Sequence, residues 1–382
     1  MRIRGSIFLI ALGLTFHCAA QNSAQEQRVI HDLDSIRVAF HIPAIAFGVA
    51  NCDSVLLMGA TGVREINTTD SVTIQDEFHI GSLAKGLLSF IAGKLVDEGM
   101  ISWNTKFFDL FPEMKESSRS EYYRIDLKDL LSHRASLHPF NDSHSRELIR
   151  RYNELHPNDR FSNYRFSQFV LTLKPQKYDS GQFYNYSNLD YLLASLMLEK
   201  ASGMSYAQLI ARTNKDLDLD FQIGWPKSEG KFQPSGHLVP KEQGWGESTS
   251  LQVWNGDGFT DWVEDYLFYC TPAGHIRVTL PDFLKYLQLD LKGVNGEDNY
   301  LKASTYNFIF NGAKEYSMGW GNDIVDGNHY YSHNGSVGTF FANAIIIKER
   351  KIAIALMANA GNNETKGGLL RVIRYLEKTF PE

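Results

Sequence analysis

The order of apolar and polar positions predicts strands at both ends of the chain and helices in its middle. Apolar runs typical of strands occur at residues 45–50 and 55–58 and, late in the chain, at residues 330–332, 339–347 and 352–357. A helix is expected before the first run, where Ser23 and Glu26 form a potential capping box ahead of apolar residues at helical spacing, namely Val29, Leu33, Ile36 and Phe40. A closing helix carries Leu369, Leu370, Ile373 and Leu376. This order predicts an α/β (α+β) fold, with one antiparallel sheet built from both chain ends, flanked by helices and interrupted by an inserted, mostly helical region.

One domain is expected after a leader. The first twenty residues have the pattern of a signal peptide, with Arg2 and Arg4, an apolar stretch over residues 7–16 and the small-residue site Cys18-Ala19-Ala20. This pattern predicts a secreted or periplasmic protein. A lipoprotein acylated on Cys18 is less expected, because bulky Phe16 and His17 stand where a lipoprotein site needs small residues. We see no repeat or linker, so residues 21–382 are expected to form a single domain, with its sheet part at about 24–80 and 310–382 and its helical part at about 82–300.

Length and composition fit a large exported globular protein. The 382 residues, 43% of them hydrophobic, are enough for a sizeable core. Loss of the leader removes two arginines and moves the formal charge from −6 to −8, and an acidic chain without a basic stripe is a poor ligand for nucleic acid. Cys52 and Cys270 would remain, and two buried free thiols are a simpler expectation than a disulfide.

Ser82-Leu83-Ala84-Lys85 is the first candidate for chemistry. Residues i and i+3 share a helix face, so the amine can lie beside the hydroxyl. The apolar residues that follow predict a buried helix, whose N-terminus favours developing negative charge. A second S-x-x-K, from Ser228 to Lys231, lies in a polar segment without helical period and is interpreted as chance.

Two further motifs follow in order. Tyr186-Ser187-Asn188 precedes a helical pattern over residues 191–200, and His333-Asn334-Gly335 lies 147 residues beyond Tyr186. A second H-x-G, His79-Ile80-Gly81, stands directly before Ser82, so this triplet alone is a weak signal. The ordered set of three is much more specific.

With these motifs the chain resembles the serine β-lactamase and penicillin-binding-protein superfamily, most closely its class C-like branch. Further stretches are similar to that family, among them residues 129–133, 184–188, 272–274 and 316–320. The absence of an S-D-N triplet argues against the class A branch. The resemblance implies the same fold as the pattern, with a cleft between the sheet and the helical region.

The resemblance also implies roles. Ser82 would be an acyl-transfer nucleophile, and either Lys85 or Tyr186 would be its general base. Asn188 would orient Lys85 or the substrate, although a helix N-cap is its simpler interpretation. The oxyanion would bind the amides of Ser82 and Ser336, next to Gly335.

His333 departs from the lysine of many family members. Histidine has an ordinary pKa of about 6.5 and is mostly neutral at pH 7, so it attracts a substrate carboxylate less than lysine does. We therefore expect a secreted serine hydrolase acting on an ester, an amide or a D-amino-acid peptide, with weak action on β-lactams. Two alternatives are an envelope protein that recognises penicillin or peptidoglycan with little turnover, and a non-catalytic descendant used for interaction.

Simpler interpretations hold for other clusters. His133, His138, His144 and Asp142 match no metal-binding spacing, and we expect neither a metal nor a cofactor. An aromatic segment is expected to pack against the body more than to line a pocket; it contains Trp245, Trp254, Phe259, Trp262, Tyr266 and Phe268. The family usually has glycine near Ser136, which leaves the shape of that loop open.

Overall fold

The computed structural model of the protein describes residues 24–141, 144–178, 181–226, 233–238, 251–254 and 261–381. A seven-stranded antiparallel sheet is built from both chain ends, as the pattern predicts. Its strands are β1 (Ala44–Asn51), β2 (Val55–Gly62), β8 (Glu315–Ser317), β9 (Trp320–Val325), β10 (Asn328–Ser336), β11 (Phe341–Ile347) and β12 (Ile352–Ala358), in the spatial order β2-β1-β12-β11-β10-β9-β8. The first strand of the chain therefore pairs with the last, with Ile45 opposite Ala358.

Alternate residues of the central strands enter two different cores. In β1, Ile45, Phe47 and Val49 face α1 (residues 24–39) and α13 (Asn363–Thr379). The other face, with Ala46 and Ala50, joins the core of the helical part. Because both faces are covered, these strands read as continuous apolar runs instead of an alternating pattern.

The helical part lies between the two halves of the sheet in sequence. Its helices are α2 (Ala84–Asp97), α3 (Phe107–Leu110), α4 (Leu127–Leu131), α5 (His144–Leu155), α6 (Asn163–Val170), α7 (Asn188–Ser202), α8 (Tyr206–Leu217), α9 (Asp261–Tyr269), α10 (Thr271–Gly274), α11 (Leu280–Val294) and α12 (Ala303–Asn311). Short 3₁₀ turns occur at Gly81–Leu83, Pro112–Met114 and Ser120–Tyr122. Within the described part of the chain, no helix is both long and apolar enough to cross a bilayer.

The structure adds short strands that the pattern does not predict. A three-stranded sheet has the order β3 (Glu77–His79), β7 (Ile276–Thr279) and β4 (Gln222–Ile223), and β5 (Gly236–Leu238) pairs with β6 (Gln252–Trp254). Strands of two to four residues are too short to show a reliable period. The predicted strand at 330–332 is longer in the structure, because β10 continues through His333 to Ser336.

Candidate active site

Ser82 lies where a short strand meets a buried helix. β3 ends at His79, the 3₁₀ turn Gly81–Leu83 follows, and α2 begins at Ala84. The turn is pressed against β10, because a Cβ atom on Gly81 would lie 2.4 Å from the Ser336 nitrogen and one on Gly335 would lie 1.7 Å from the Ile80 oxygen. Gly81 also has φ +51°, which favours glycine. The amides of Ser82 and Ser336, the predicted oxyanion donors, thus belong to segments in direct contact.

Lys85 is fully buried beside the Ser82 hydroxyl. Its Nζ lies 3.2 Å from Ser82 Oγ and donates to Asn188 Oδ1 and to the Ala273 carbonyl, both at 2.7 Å. Burial lowers the pKa of Lys85 to about 7, although Cys270 and Asp190 oppose this shift. A neutral amine that donates two hydrogens to these acceptors keeps a lone pair for the proton of Ser82.

Tyr186 approaches Ser82 from the segment before α7. Its ring centroid lies 4.7 Å from Lys85 Nζ, and its phenol is close enough to the Ser82 side chain for the two to interact. Burial raises the pKa of the Tyr186 phenol, so the phenol stays protonated near neutral pH. Of the two bases that the sequence leaves open, Lys85 is therefore the one whose pKa lies near 7.

Asn188 is not the N-cap of α7. Ser187 holds that position, since its hydroxyl accepts from the Leu189 amide at 3.1 Å. The side chain of Asn188 instead accepts from Lys85 and donates to the Phe140 carbonyl at 2.9 Å and to the Tyr266 hydroxyl at 3.2 Å. These bonds orient the amine of Lys85.

His333 on β10 is neutral at neutral pH. Its Nδ1 lies 2.7 Å from the Asn334 carbonyl, which can only accept, so Nδ1 carries the proton. Nε2 then accepts from the Tyr316 hydroxyl at 3.0 Å. Desolvation and the charge of Lys85 lower the pKa of His333 to about 3. The ring lies 6.1 Å from that of Tyr186, between centroids, and brings no fixed positive charge to the site.

A cavity of about 320 Å³ opens beside the nucleophile. It is lined by Ser82, Asn188, Trp225, Tyr266, Leu267, Cys270, Gly274, Ser336, Val337 and Gly338. The structure thus brings together all the predicted site residues around Ser82, and their catalytic roles stay predictions.

Sequence reasoning missed several contributors. The Ala273 carbonyl and the phenols of Tyr266 and Tyr316 bond the predicted residues, and Trp225 walls the cavity. Tyr266 belongs to the aromatic segment that was expected to pack more than to line a pocket, and Tyr266 lines the cavity. Phe268 of the same segment packs against Phe161. No residue-type signal could reveal the Ala273 carbonyl, because it is a backbone group.

Other predictions have mixed outcomes. Cys52 and Cys270 are both free, but Cys52 is only half-buried. His133 Nδ1 lies 2.8 Å from Asp190, His138 Nδ1 accepts from the Phe140 amide, and the described residues contain no metal-ligating cluster. Several predictions concern residues that the structure does not describe, namely the leader with Cys18, Ser23 of the capping box, Asp142, the S-x-x-K copy at 228–231, Trp245 and Phe259. For Trp254 and Trp262 the side chains are not described.

Comparison with known proteins identifies the family. The Beta-lactamase family model matches residues 29–376. The chain belongs to this family. A curated relative, Protein flp of Staphylococcus aureus, is 19% identical over 350 residues, and the match covers 88% of this chain and 64% of the relative. The chain therefore spans somewhat under two thirds of that relative.

Solved structures share the fold at low identity. D-amino acid amidase from Ochrobactrum anthropi SV3, complexed with L-phenylalanine amide, has a TM-score of 0.71 at 17% identity and covers 93% of this chain and 99% of its own. The octameric penicillin-binding protein homologue from Pyrococcus abyssi has a TM-score of 0.68 at 18% identity, covering 87% of this chain and 73% of its own. At these identities the likeness shows a shared fold.

Proposed function

We propose that the protein is an exported serine hydrolase that forms an acyl-enzyme on Ser82. The observation that carries this proposal is the buried Lys85 amine, 3.2 Å from Ser82 Oγ and with its other contacts made to acceptors. A serine hydroxyl is a weak nucleophile, and an adjacent neutral amine is the base that activates it. Export rests on the leader-like pattern of residues 1–20.

The reaction would proceed by two acyl transfers. Lys85 accepts the proton of Ser82 as Oγ attacks the substrate carbonyl, and the negative oxygen binds the amides of Ser82 and Ser336. The phenol of Tyr186, protonated and close to Ser82, donates a proton to the leaving group. The ammonium of Lys85 then passes its proton to the phenolate of Tyr186. Water attacks the ester on Ser82 while Lys85 accepts a proton from it, and Lys85 gives that proton to Ser82 Oγ as the acid leaves, which restores the hydroxyl.

The substrate is proposed to be an ester, an amide or a D-amino-acid peptide, with weak action on β-lactams. Neutral His333 supports this choice, because a penicillin or peptide carboxylate would find no cation at this position. The likeness to a D-amino acid amidase supports an amide among the candidates.

Turnover by the mature protein tests this proposal. Short-chain nitrophenyl esters, D-amino-acid amides and peptides, and a penicillin are each incubated with the wild type and with Ser82→Ala. We expect Ser82-dependent hydrolysis of an ester or amide to exceed that of penicillin by at least about tenfold, a difference of about 1.4 kcal/mol in barrier. Faster turnover of penicillin than of every ester and amide would refute the substrate assignment.

A second candidate is an envelope protein that recognises penicillin or peptidoglycan with little turnover. The likeness to a penicillin-binding protein homologue favours it. This candidate predicts a long-lived penicillin adduct on Ser82 together with negligible hydrolysis of all the substrates above.

A further inference from the structure

The motif His79-Ile80-Gly81 is not used by the proposed reaction, yet its histidine is buried and bonded on both sides. His79 Nδ1 accepts the Gly81 amide at 3.1 Å, and His79 Nε2 lies 3.0 Å from His275 Nδ1. Because an amide can only donate, the proton of His79 must be on Nε2, which donates to His275. Burial lowers the pKa of His79 well below its usual range and that of His275 to about 4, so both rings are neutral at pH 7, as this chain of bonds requires.

The bond to Gly81 fixes the turn that carries the nucleophile. The neighbouring amides of the turn are also held, since Ile80 donates to the Ile276 carbonyl at 2.9 Å and Leu83 donates to the Ile80 carbonyl at 3.2 Å. The Ser82 amide follows Gly81 directly. Its direction therefore depends on the peptide plane between Ile80 and Gly81, whose nitrogen is the one bonded by His79.

The packing around His79 leaves the ring little freedom. The Trp225 ring lies 4.8 Å from it and the His275 ring 5.2 Å, between centroids, and Trp225 also walls the cavity beside Ser82. On the opposite side of the turn, Gly81 lies against the Ser336 nitrogen. His79 and His275 therefore hold the turn in contact with β10, which carries the Ser336 amide, the second proposed oxyanion donor.

We propose that His79, held in its tautomer by His275, is a positioning residue that aims the Ser82 amide at the oxyanion. This inference rests on the proposed acyl-enzyme function. A donor displaced by about an ångström can cost about 10²-fold in rate. Loss of the hydrogen bond from Gly81 to His79 should therefore lower kcat.

Two substitutions of His79 separate a hydrogen-bond role from a packing role. In His79→Asn the Oδ1 atom can take the place of Nδ1 as acceptor, although the side chain is smaller. His79→Leu fills the space and cannot accept. With a nitrophenyl ester we expect kcat of His79→Leu to fall by about 10- to 100-fold with little change in KM, and His79→Asn to keep at least about a third of the wild-type kcat.

A merely structural histidine would give the reverse order, because the smaller asparagine leaves the larger void. Loss of kcat in His79→Asn equal to or greater than that in His79→Leu, with both variants folded by melting temperature, would overturn the inference. His275→Leu should reduce kcat less than His79→Leu, since it acts one bond further away.

A measurement that needs no turnover separates this inference from the proposed function. Amide hydrogen exchange at Gly81, followed by NMR, should be slow in the wild type and in His79→Asn and at least about tenfold faster in His79→Leu, because the acceptor is lost. Equal exchange in all three proteins would overturn the positioning role even if the enzyme is active. Absence of Ser82-dependent turnover would refute the proposed function. The exchange rates alone would then show whether His79 holds the Gly81 amide.

Discussion

Lys85 is the residue whose protonation controls the proposed chemistry. The motif order suggested Ser82, Lys85 and Tyr186 from the sequence, but not which of the two partners is the base. That choice depends on burial and on the Ala273 carbonyl, which the chain brings in from 188 residues away. The apolar residues after Lys85 indicate its burial, but the contact with Ala273 cannot be derived from residue types, because a backbone carbonyl is present at every position.

The pH dependence of acylation should report the amine of Lys85. Its pKa is lowered to about 7, so the protonated form, which cannot accept the Ser82 proton, dominates below this pH. We expect kcat/KM for a nitrophenyl ester to rise about tenfold per pH unit at acidic pH and to level off above pH 8. The rate of Ser82→Ala is subtracted at each pH. A profile that is flat from pH 5.5 to 8.5 would contradict Lys85 as the base.

Substitution of Tyr186 by phenylalanine tests proton donation to the leaving group. General-acid catalysis contributes about 10²- to 10⁴-fold, so an amide or alkyl ester should be hydrolysed slower by such a factor in Tyr186→Phe. A nitrophenyl ester should lose much less, because nitrophenolate leaves without a proton. Equal losses for both substrates would indicate that Tyr186 acts on Ser82 instead of on the leaving group.

At the scale of elements, the loop after α4 holds a serine in a backbone conformation that glycine favours. The resemblance places a glycine near Ser136 in the family, and the sequence left the shape of this loop open. Ser136 adopts φ +60°, in the left-handed region that glycine favours. Its carbonyl accepts the Gln176 amide at 2.8 Å, so a backbone hydrogen bond holds Ser136 in this conformation.

The closing helix α13 shows the limit of apolar periodicity. Leu369, Leu370, Ile373 and Leu376 all count as apolar positions in the sequence, yet Leu369 is fully buried against the sheet and Leu370 is 48% exposed. Adjacent residues lie about 100° apart on a helix, so one of the pair must leave the buried face.

This adjacent pair gives a matched test of the packing. Leu369→Ala should lower the free energy of unfolding by about 2–5 kcal/mol, because it opens a cavity between α13 and the sheet. Leu370→Ala, on the same turn, should change it by less than about 0.5 kcal/mol. Urea unfolding of both variants makes the comparison, and similar losses would show that α13 does not dock through the Leu369 face.

At the scale of the whole molecule, the sheet joins both chain ends and places the motifs around one cleft. Early and late apolar runs were enough to predict this antiparallel sheet, and the structure confirms it. The short strands at the cleft could not be predicted, since β3 and β7 have only three and four residues. Yet β3 leads into the turn that carries Ser82, and β7, which pairs with β3, begins directly after His275. The least predictable elements therefore position the nucleophile.

The central claim is that Ser82 is an activated nucleophile, and covalent labelling tests it most directly. The protein is treated with a fluorophosphonate at pH 8, where Lys85 is mostly neutral, and examined by intact mass and peptide mapping. The account predicts one adduct per chain, located on Ser82, formed about tenfold or more slower at pH 6 and absent in Ser82→Ala. An unlabelled wild type, or an adduct that persists in Ser82→Ala, would contradict it.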